Sequence, residues 1–400
     1  MFAAFLIFLL MRASDTSLGL IRCLTGCGRG ADRKRYRNTV VGQILRCWPN
    51  AIECIFVEAA VSNGWGRAAS SVVTQAFEAP GGKNRGGTLH MFTLGSILRL
   101  ATPPYFFQPL QILRRLRLEY LWRSKREALV TLPWGLPIRI KLHEAIGFNI
   151  ASQGLYEIGV TETLWRLTEP GDLAIDVGAN IGYMTSIFGI RVGQKGKVIS
   201  FEPHPDVFES LRENVEIWKQ DRRCGSFVLQ QAALGKESGQ ALLHTNEWFE
   251  TNRGTAWISN KVEDSPDLKT IKVKIRDLDS LIDAGETIGV MKMDVQEHEL
   301  GVLQGMTRLL KRHAVRDIVF EELAAFPALT HEYLKSNGYS IFALQESFAG
   351  VRLLPDAQAD FDPVIGPVPN YLATLDPSRA KSLLRPGIWR SFGPASLVAN

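Results

Sequence analysis

The chain has 400 residues, 46% hydrophobic and 22% charged, with 35 glycines; this composition suits a folded protein and excludes a mainly disordered or collagen-like one. Its length accommodates one full-size α/β domain with extensions, and its net charge of +5 is small for that size. No nucleic-acid module accompanies the basic residues, which argues against nucleic acid as a partner.

The opening run MFAAFLIFLL is apolar, but no basic residue precedes it and it is far shorter than the roughly 20 residues a spanning helix needs. Residues 1–90 mix glycine-rich basic runs with apolar pieces of no clear period, and read as a poorly structured extension, with translation starting at or near Met91 as the alternative. Four of the five cysteines (Cys23, Cys27, Cys47 and Cys54) fall here, and Cys224 lies further on. Their spacings suit neither a disulfide framework nor a zinc site, so the expected setting is reducing cytosol, with no metal. Residues 91–131 read as a basic helical lead-in, where Arg114, Arg115, Arg117, Arg123, Lys125 and Arg126 interleave with Leu113, Leu116, Leu118, Leu121 and Trp122. The 113–126 stretch has the character for weak contact with an anionic membrane surface.

From Leu132 to Ile150 short alternating runs flank a Trp134-Gly135 turn, the pattern of a β-hairpin. A helix over Glu162–Leu167 ends at Glu169-Pro-Gly171, and strand and helix then alternate. Strands are expected at Leu173–Val177, Val198–Phe201, Phe227–Gln231, Gly289–Met293 and Val315–Phe320, with helices at Val207–Trp218 and Leu300–Leu310. A helix at Thr330–Asn337 precedes a last strand, Tyr339–Leu344, read as antiparallel. The irregular stretch His244–Ser259, with Trp248, Phe249 and Trp257, is a candidate substrate lid, and the proline-rich tail 356–400 is expected to be irregular. The domain therefore spans 132–355. Its alternation implies an α/β fold with a doubly wound, mostly parallel sheet, Rossmann-like, whose ligands sit beyond the carboxyl ends of the strands.

The decisive segment is Leu173-Ala-Ile-Asp-Val-Gly-Ala-Asn-Ile-Gly182. An apolar strand delivers Asp176, and the glycines at 178 and 182 allow a tight turn and close approach of a ligand. A dinucleotide loop would place a pyrophosphate on the next helix, with three glycines in Gly-x-Gly-x-x-Gly spacing. Here Asn180 stands in that pattern, and a carboxylate at the strand end would repel a pyrophosphate. S-adenosylmethionine carries an ammonium and a sulfonium and no phosphate, so the charge favours it. Glu202 ends the next strand, about 20 residues past the loop, where an acid takes ribose hydroxyls.

Asp176-Val-Gly-Ala-Asn-Ile-Gly182, Phe201-Glu-Pro-His204 and Lys292-Met-Asp-Val-Gln-Glu-His-Glu299 together resemble the motifs of the FkbM family of methyltransferases, over about half the chain. The resemblance implies a class I methyltransferase fold and O-methylation of a hydroxyl on a small-molecule or glycan acceptor such as a sugar or natural product. It assigns Asp176, Gly178, Asn180 and Gly182 to the methionine and sulfonium part of the cofactor and Glu202 to the ribose; Pro203 is a further cofactor-binding candidate, and His204 is read as lining the adenosine side. The family pattern Asp-Val-Glu-Gly-x-Glu is here Asp294-Val-Gln-Glu-His-Glu299, with Gln296 for Glu and Glu297 for Gly. His298 is the candidate general base, because imidazole titrates near working pH, with Asp294 and Glu321 as alternatives. A nicotinamide-dependent dehydrogenase of the same topology and a cofactor-binding but inactive module are the competing readings. Oligomeric state is not legible.

Overall fold

Runs of aliphatic residues buried on both sides read as near-continuous apolar strands, the mark of a sheet covered by helices on each face. The computed structural model describes residues 127–246, 249, 251–259, 268–324, 328–347, 349–355, 370–387 and 389–392. The expectations for residues 1–126 (the extension, the basic lead-in and the 113–126 membrane contact) lie outside the described residues.

Strands β1 (Glu127–Thr131) and β2 (Pro137–Lys141) form an antiparallel hairpin, and helices α1 (Ala145–Gln153) and α2 (Ile158–Leu167) follow. The hairpin therefore begins inside the segment expected to be a helical lead-in and ends at Lys141, and residues 145–150, expected to belong to it, lie in α1. It is turned by Gly135 at φ 86°. Next come β3 (Leu173–Val177), α3 (Tyr183–Val192), β4 (Lys197–Phe201), α4 (Pro205–Trp218) and β5 (Ser226–Gln230). An inserted four-stranded sheet follows, of β6 (Ala233–Leu234), β7 (Gly239–Thr245), β8 (Trp257–Ser259) and β9 (Lys269–Arg276), in the order β6-β9-β7-β8. The main fold resumes with β10 (Ile288–Met293), α5 (Glu299–Gln304), α6 (Thr307–Lys311), β11 (Val315–Glu321), α7 (Leu329–Ser336), β12 (Ser340–Ser347), β13 (Gly350–Pro355), β14 (Asn370–Thr374) and α8 (Pro377–Leu383).

The main sheet has eight strands in the order β13-β12-β14-β11-β10-β3-β4-β5. From β11 to β5 every pairing is parallel, while β14 is antiparallel to both β11 and β12. Two sequence expectations are corrected here. The tail beyond 355 is not wholly irregular, since β14 sits inside the sheet with Leu372 and Ala373 fully buried and α8 follows it. β12, expected to be antiparallel, does pair antiparallel with both of its neighbours, β13 and β14, and runs the same way as β11 because β14 lies reversed between them. The expected helix Leu300–Leu310 is two short helices, interrupted at Gly305-Met306.

One core layer, with Ala174, Val198, Val290 and Leu372, packs beneath the hairpin, α2, α3 and α4; the other, with Ile175, Phe201, Met291 and Ile318, packs against α5 to α7. Asn214 on α4 ties the hairpin to the loop after β3: its amide accepts from Arg139 N at 2.7 Å and donates to the Ile181 carbonyl at 2.9 Å.

Candidate active site

Strands β3, β4 and β10 end at one edge of the sheet, and a cleft opens there. Its walls include Gly178, Asn180, Glu202, Pro203, Ala232, Arg253, Asp294 and Gln296. The turn after β3 is built from positive φ angles: Gly178 at 74°, Asn180 at 50° and Gly182 at 93°. A Cβ on Gly178 would collide with the Asp294 carbonyl, so glycine there lets β3 and β10 converge beneath the cleft. The Glu202 carboxylate pins the turn, accepting from Asn180 N at 3.0 Å and His204 N at 2.9 Å. Burial pushes its carboxyl up to about 7, against the pull of those two N–H groups.

Acids gather beyond the β10 end. Asp294 Oδ1 accepts from Gln296 Nε2 at 3.0 Å, and the same nitrogen donates to Glu321 Oε2 at 3.2 Å. Burial, then the Asp294 and Glu157 charges, raises Glu321; burial and Asp294 raise Glu157, held in the left-handed region at φ 43° just before α2. Lys292 answers them: its Nζ lies 3.3 Å from Asp294 Oδ2 and 3.5 Å from the Gly178 carbonyl oxygen. Burial disfavours its charge, yet Asp294, Asp176 and Glu157 together hold the ammonium above its ordinary range. Among the described residues no group of three or more His, Cys, Asp or Glu side chains is placed to hold a metal ion.

The expected lid does reach the cleft. Residues between β7 and β8 supply Arg253, Gly254 and Ala256 to its wall, and Ile258 of β8 joins them. Thr251 O accepts from Ala145 N at 2.8 Å, anchoring the segment to the start of α1. Phe249 lies 4.5 Å from His204, ring to ring, and Trp257 stacks on His244 at 5.7 Å. Trp248 is outside the described residues.

Of the residues expected to hold a cofactor, Gly178, Asn180, Glu202 and Pro203 line the cleft. Asp176 and Gly182 do not. Asp176 is fully buried beneath the turn, where Oδ2 accepts from the Thr185 hydroxyl at 2.6 Å and Oδ1 has no hydrogen-bond partner; burial raises its carboxyl despite Lys292. Gly182 faces α4, and a Cβ there would stand 2.7 Å from Leu211 Cδ1. Of the expected catalytic residues, Asp294 lines the cleft and Glu321 is linked to it through Gln296. His298 is turned away: its ring packs so that a Cβ on Gly235 would lie 3.0 Å from Nε2 and one on Gly301 2.8 Å, with no side-chain cap bond to α5. Burial lowers its affinity for a proton.

Sequence reading assigned no role to Lys292, Glu157 or Arg253. A lysine inside the apolar strand Gly-Val-Met-Lys-Met was a usable signal, since a buried strand lysine requires partners. Glu157 and Arg253 come from loops, where no periodicity marks them.

Residues 176–341 match the profile described as methyltransferase FkbM domain. Hexuronic acid methyltransferase AglP of Haloferax volcanii is 35% identical over 159 residues, covering 39% of this chain and 58% of that protein. A protein-L-isoaspartate O-methyltransferase of Triticum aestivum is 38% identical over 55 residues, 14% of this chain and 24% of that one. Among solved structures, the methyltransferase FkbM of Methylobacillus flagellatus is 18% identical with a TM-score of 0.32, over 50% of this chain and 43% of that one. An S-adenosylmethionine-dependent O-methyltransferase of Thermotoga maritima is 12% identical with a TM-score of 0.31, over 63% and 85%. The likeness to those structures is slight, and the fold is read from the strand order above. The matched residues 176–341 carry the turn after β3, Glu202, Arg253 and Asp294, and the chain spans 58% of the length of the Haloferax volcanii relative.

Proposed function

We propose that this protein is an S-adenosylmethionine-dependent methyltransferase that methylates a hydroxyl oxygen of a sugar or natural-product acceptor. The observation that carries the reading is the cleft that joins the Gly178–Asn180 turn to Glu202 on one side and Asp294 on the other. The family match and the hexuronic acid methyltransferase relative support it and favour a sugar.

The residues present suit such a cofactor. Glycine at 178 leaves backbone where a side chain would intrude, and the acids Glu202, Asp294 and Glu321 favour a cationic ligand over a phosphate. Gly178 and Asn180 would border the sulfonium, while Glu202 keeps lone pairs for ribose hydroxyls and Pro203 flanks the adenosine. When bound, the cofactor supplies a methyl group on a positively charged sulfur. The protein's share is to position the acceptor hydroxyl in line and to take its proton. Asp294 or Glu321 takes it: Lys292 and Gln296 fix Asp294, and the raised Glu321 exchanges protons near neutral pH. His298, packed behind α5, has no part in that step. One observation favours the inactive-module reading, namely Gln296 where the family motif has Glu.

Titration calorimetry on the full chain should find S-adenosylmethionine bound and NAD not bound, with affinity for the former cut at least tenfold in Glu202→Ala. Binding of NAD instead would return the dehydrogenase reading. With a transferable acceptor, Asp294→Asn or Glu321→Gln should lower turnover by about 10²–10⁴-fold. Because Glu321 must be unprotonated to accept a proton and burial with the Asp294 and Glu157 charges pushes its carboxyl up to about 8, turnover should climb as pH rises through about 8, a limb that Glu321→Gln removes.

A further inference from the structure

Glu202 and Asp294 bring negative charge to the cleft, and among the described residues that line it Arg253 is the one cation. Arg253 is also incompletely paired. Its side chain is only 10% exposed; Nε lies 2.8 Å from Glu144 Oε1, and Nη1 is buried with no hydrogen-bond partner. A buried guanidinium that leaves donors unmet is costly, and its planar fork suits a carboxylate.

The surroundings hold the fork in place. The Asn252 side chain accepts from Gly254 N at 3.2 Å, closing a turn around Arg253. The guanidinium carbon lies 6.0 Å from the Phe249 ring, which His204 backs at 4.5 Å. Glu144, 2% exposed, supplies the counter-charge that orients the side chain. A group so fixed needs little reordering to receive a ligand. Lys292 cannot serve instead, since Asp294 and the Gly178 carbonyl occupy it.

We propose that Arg253 anchors an anionic acceptor, a sugar bearing a carboxylate, in the cleft. The inference rests on the methyl-transfer reading and adds to it the acceptor's charge and the residue that selects it. A carboxylate's single charge suits a cleft whose other charges are acidic, where a doubly charged phosphate would meet stronger repulsion. The other carboxylate able to enter is that of the methionine part of the cofactor, so the test separates the two.

Binding of p-nitrophenyl glucuronide and p-nitrophenyl glucoside to the full chain, saturated with S-adenosylhomocysteine, compares a carboxylate with a neutral group on one ring. The wild type should prefer the glucuronide at least tenfold, and Arg253→Gln should erase that preference, as loss of a charge-assisted hydrogen bond removes about 10- to 100-fold. Arg253→Lys, retaining the charge without the fork, should restore part of it, and thermal melts of both variants establish that they are folded. Equal affinity for the two glycosides in the wild type, or a preference that survives in Arg253→Gln, overturns the proposal. So does a donor arm in which the wild type favours S-adenosylmethionine over its decarboxylated analogue and Arg253→Gln does not, since the anchored carboxylate is then the cofactor's. A failure of methyl transfer to every acceptor would count against the enzyme reading alone, because the glycoside preference is measured without turnover.

Discussion

At residue scale, the turn after β10 shows how a substituted motif keeps its shape. Gln296 and Glu297 both sit in the left-handed region, at φ 51° and 68°, where the family pattern has glycine at the second position. The backbone of the motif thus survives with a strained glutamate. Left-handed backbone costs a non-glycine residue about 1–2 kcal/mol, and glycine gives back part of that in chain entropy, so Glu297→Gly should stabilise by about 0.5–1 kcal/mol in urea denaturation. A loss of stability would mean that the Glu297 side chain does something its φ conceals. Gln296 donates to two carboxylates at once, and a glutamate there would turn both hydrogen bonds into like-charge contacts unless protonated. Gln296→Glu should therefore melt below the wild type at pH 8, with the deficit shrinking by pH 6 as the new carboxyl, its proton affinity raised, holds a proton. Which side chains meet in this way was not legible from the sequence. The motif put Asp294 and His298 four residues apart on one loop, but the two positive φ angles between them send one ring behind α5 and leave the other side chain in the cleft.

At the scale of elements, α2 is held by the C-terminal end of the described fold. Glu162, fully buried, pairs with Arg166 and accepts from Arg390 N at 2.9 Å and Ser391 N at 2.8 Å, while Arg166 Nη1 donates to the Leu383 and Arg385 carbonyls at 3.0 Å. Breaking one partner of a buried pair leaves an uncompensated charge, so Arg166→Met should cost about 3–5 kcal/mol in denaturant unfolding. A cost under 1 kcal/mol would show that the chain after α8 detaches freely. Elements were legible where the chain punctuates them. β3, β4, β10 and β11 are apolar runs closed by glycine, proline or acidic loops, and their limits agree with the sequence reading to within a residue or so. β14 was missed because Asn370-Tyr-Leu-Ala-Thr374 is short and follows a proline-rich run, and burial on both faces erases the alternation that marks a strand. The neighbour against which β12 forms one of its antiparallel ladders was overlooked for the same cause.

For the whole molecule, the balance of buried acids predicts an unusual response to pH. Burial raises Glu202 and Glu299 to about 7 and also raises Asp176, Glu157, Glu321 and Glu346 above the ordinary carboxyl range. The folded state thus holds protons that the unfolded chain releases near pH 4.5, so this contribution is full below that value and is lost as pH rises through about 7. The melting temperature should fall between pH 5.5 and 7.5 without ligand, and a cationic ligand in the cleft should raise it more at the upper pH; a flat or rising profile would contradict the burial argument. The place of β14 bears on a different matter, the order in which the polypeptide is made. It lies between β11 and β12 but is synthesised after both, so on the ribosome β12 and β13 emerge while their docking edge is still missing. β12 runs parallel to β11 and could pair with it directly, an incorrect ladder that the later strand would have to displace. A nascent chain halted before Asn370 has two open strand edges and a competing register, conditions that favour aggregation over waiting.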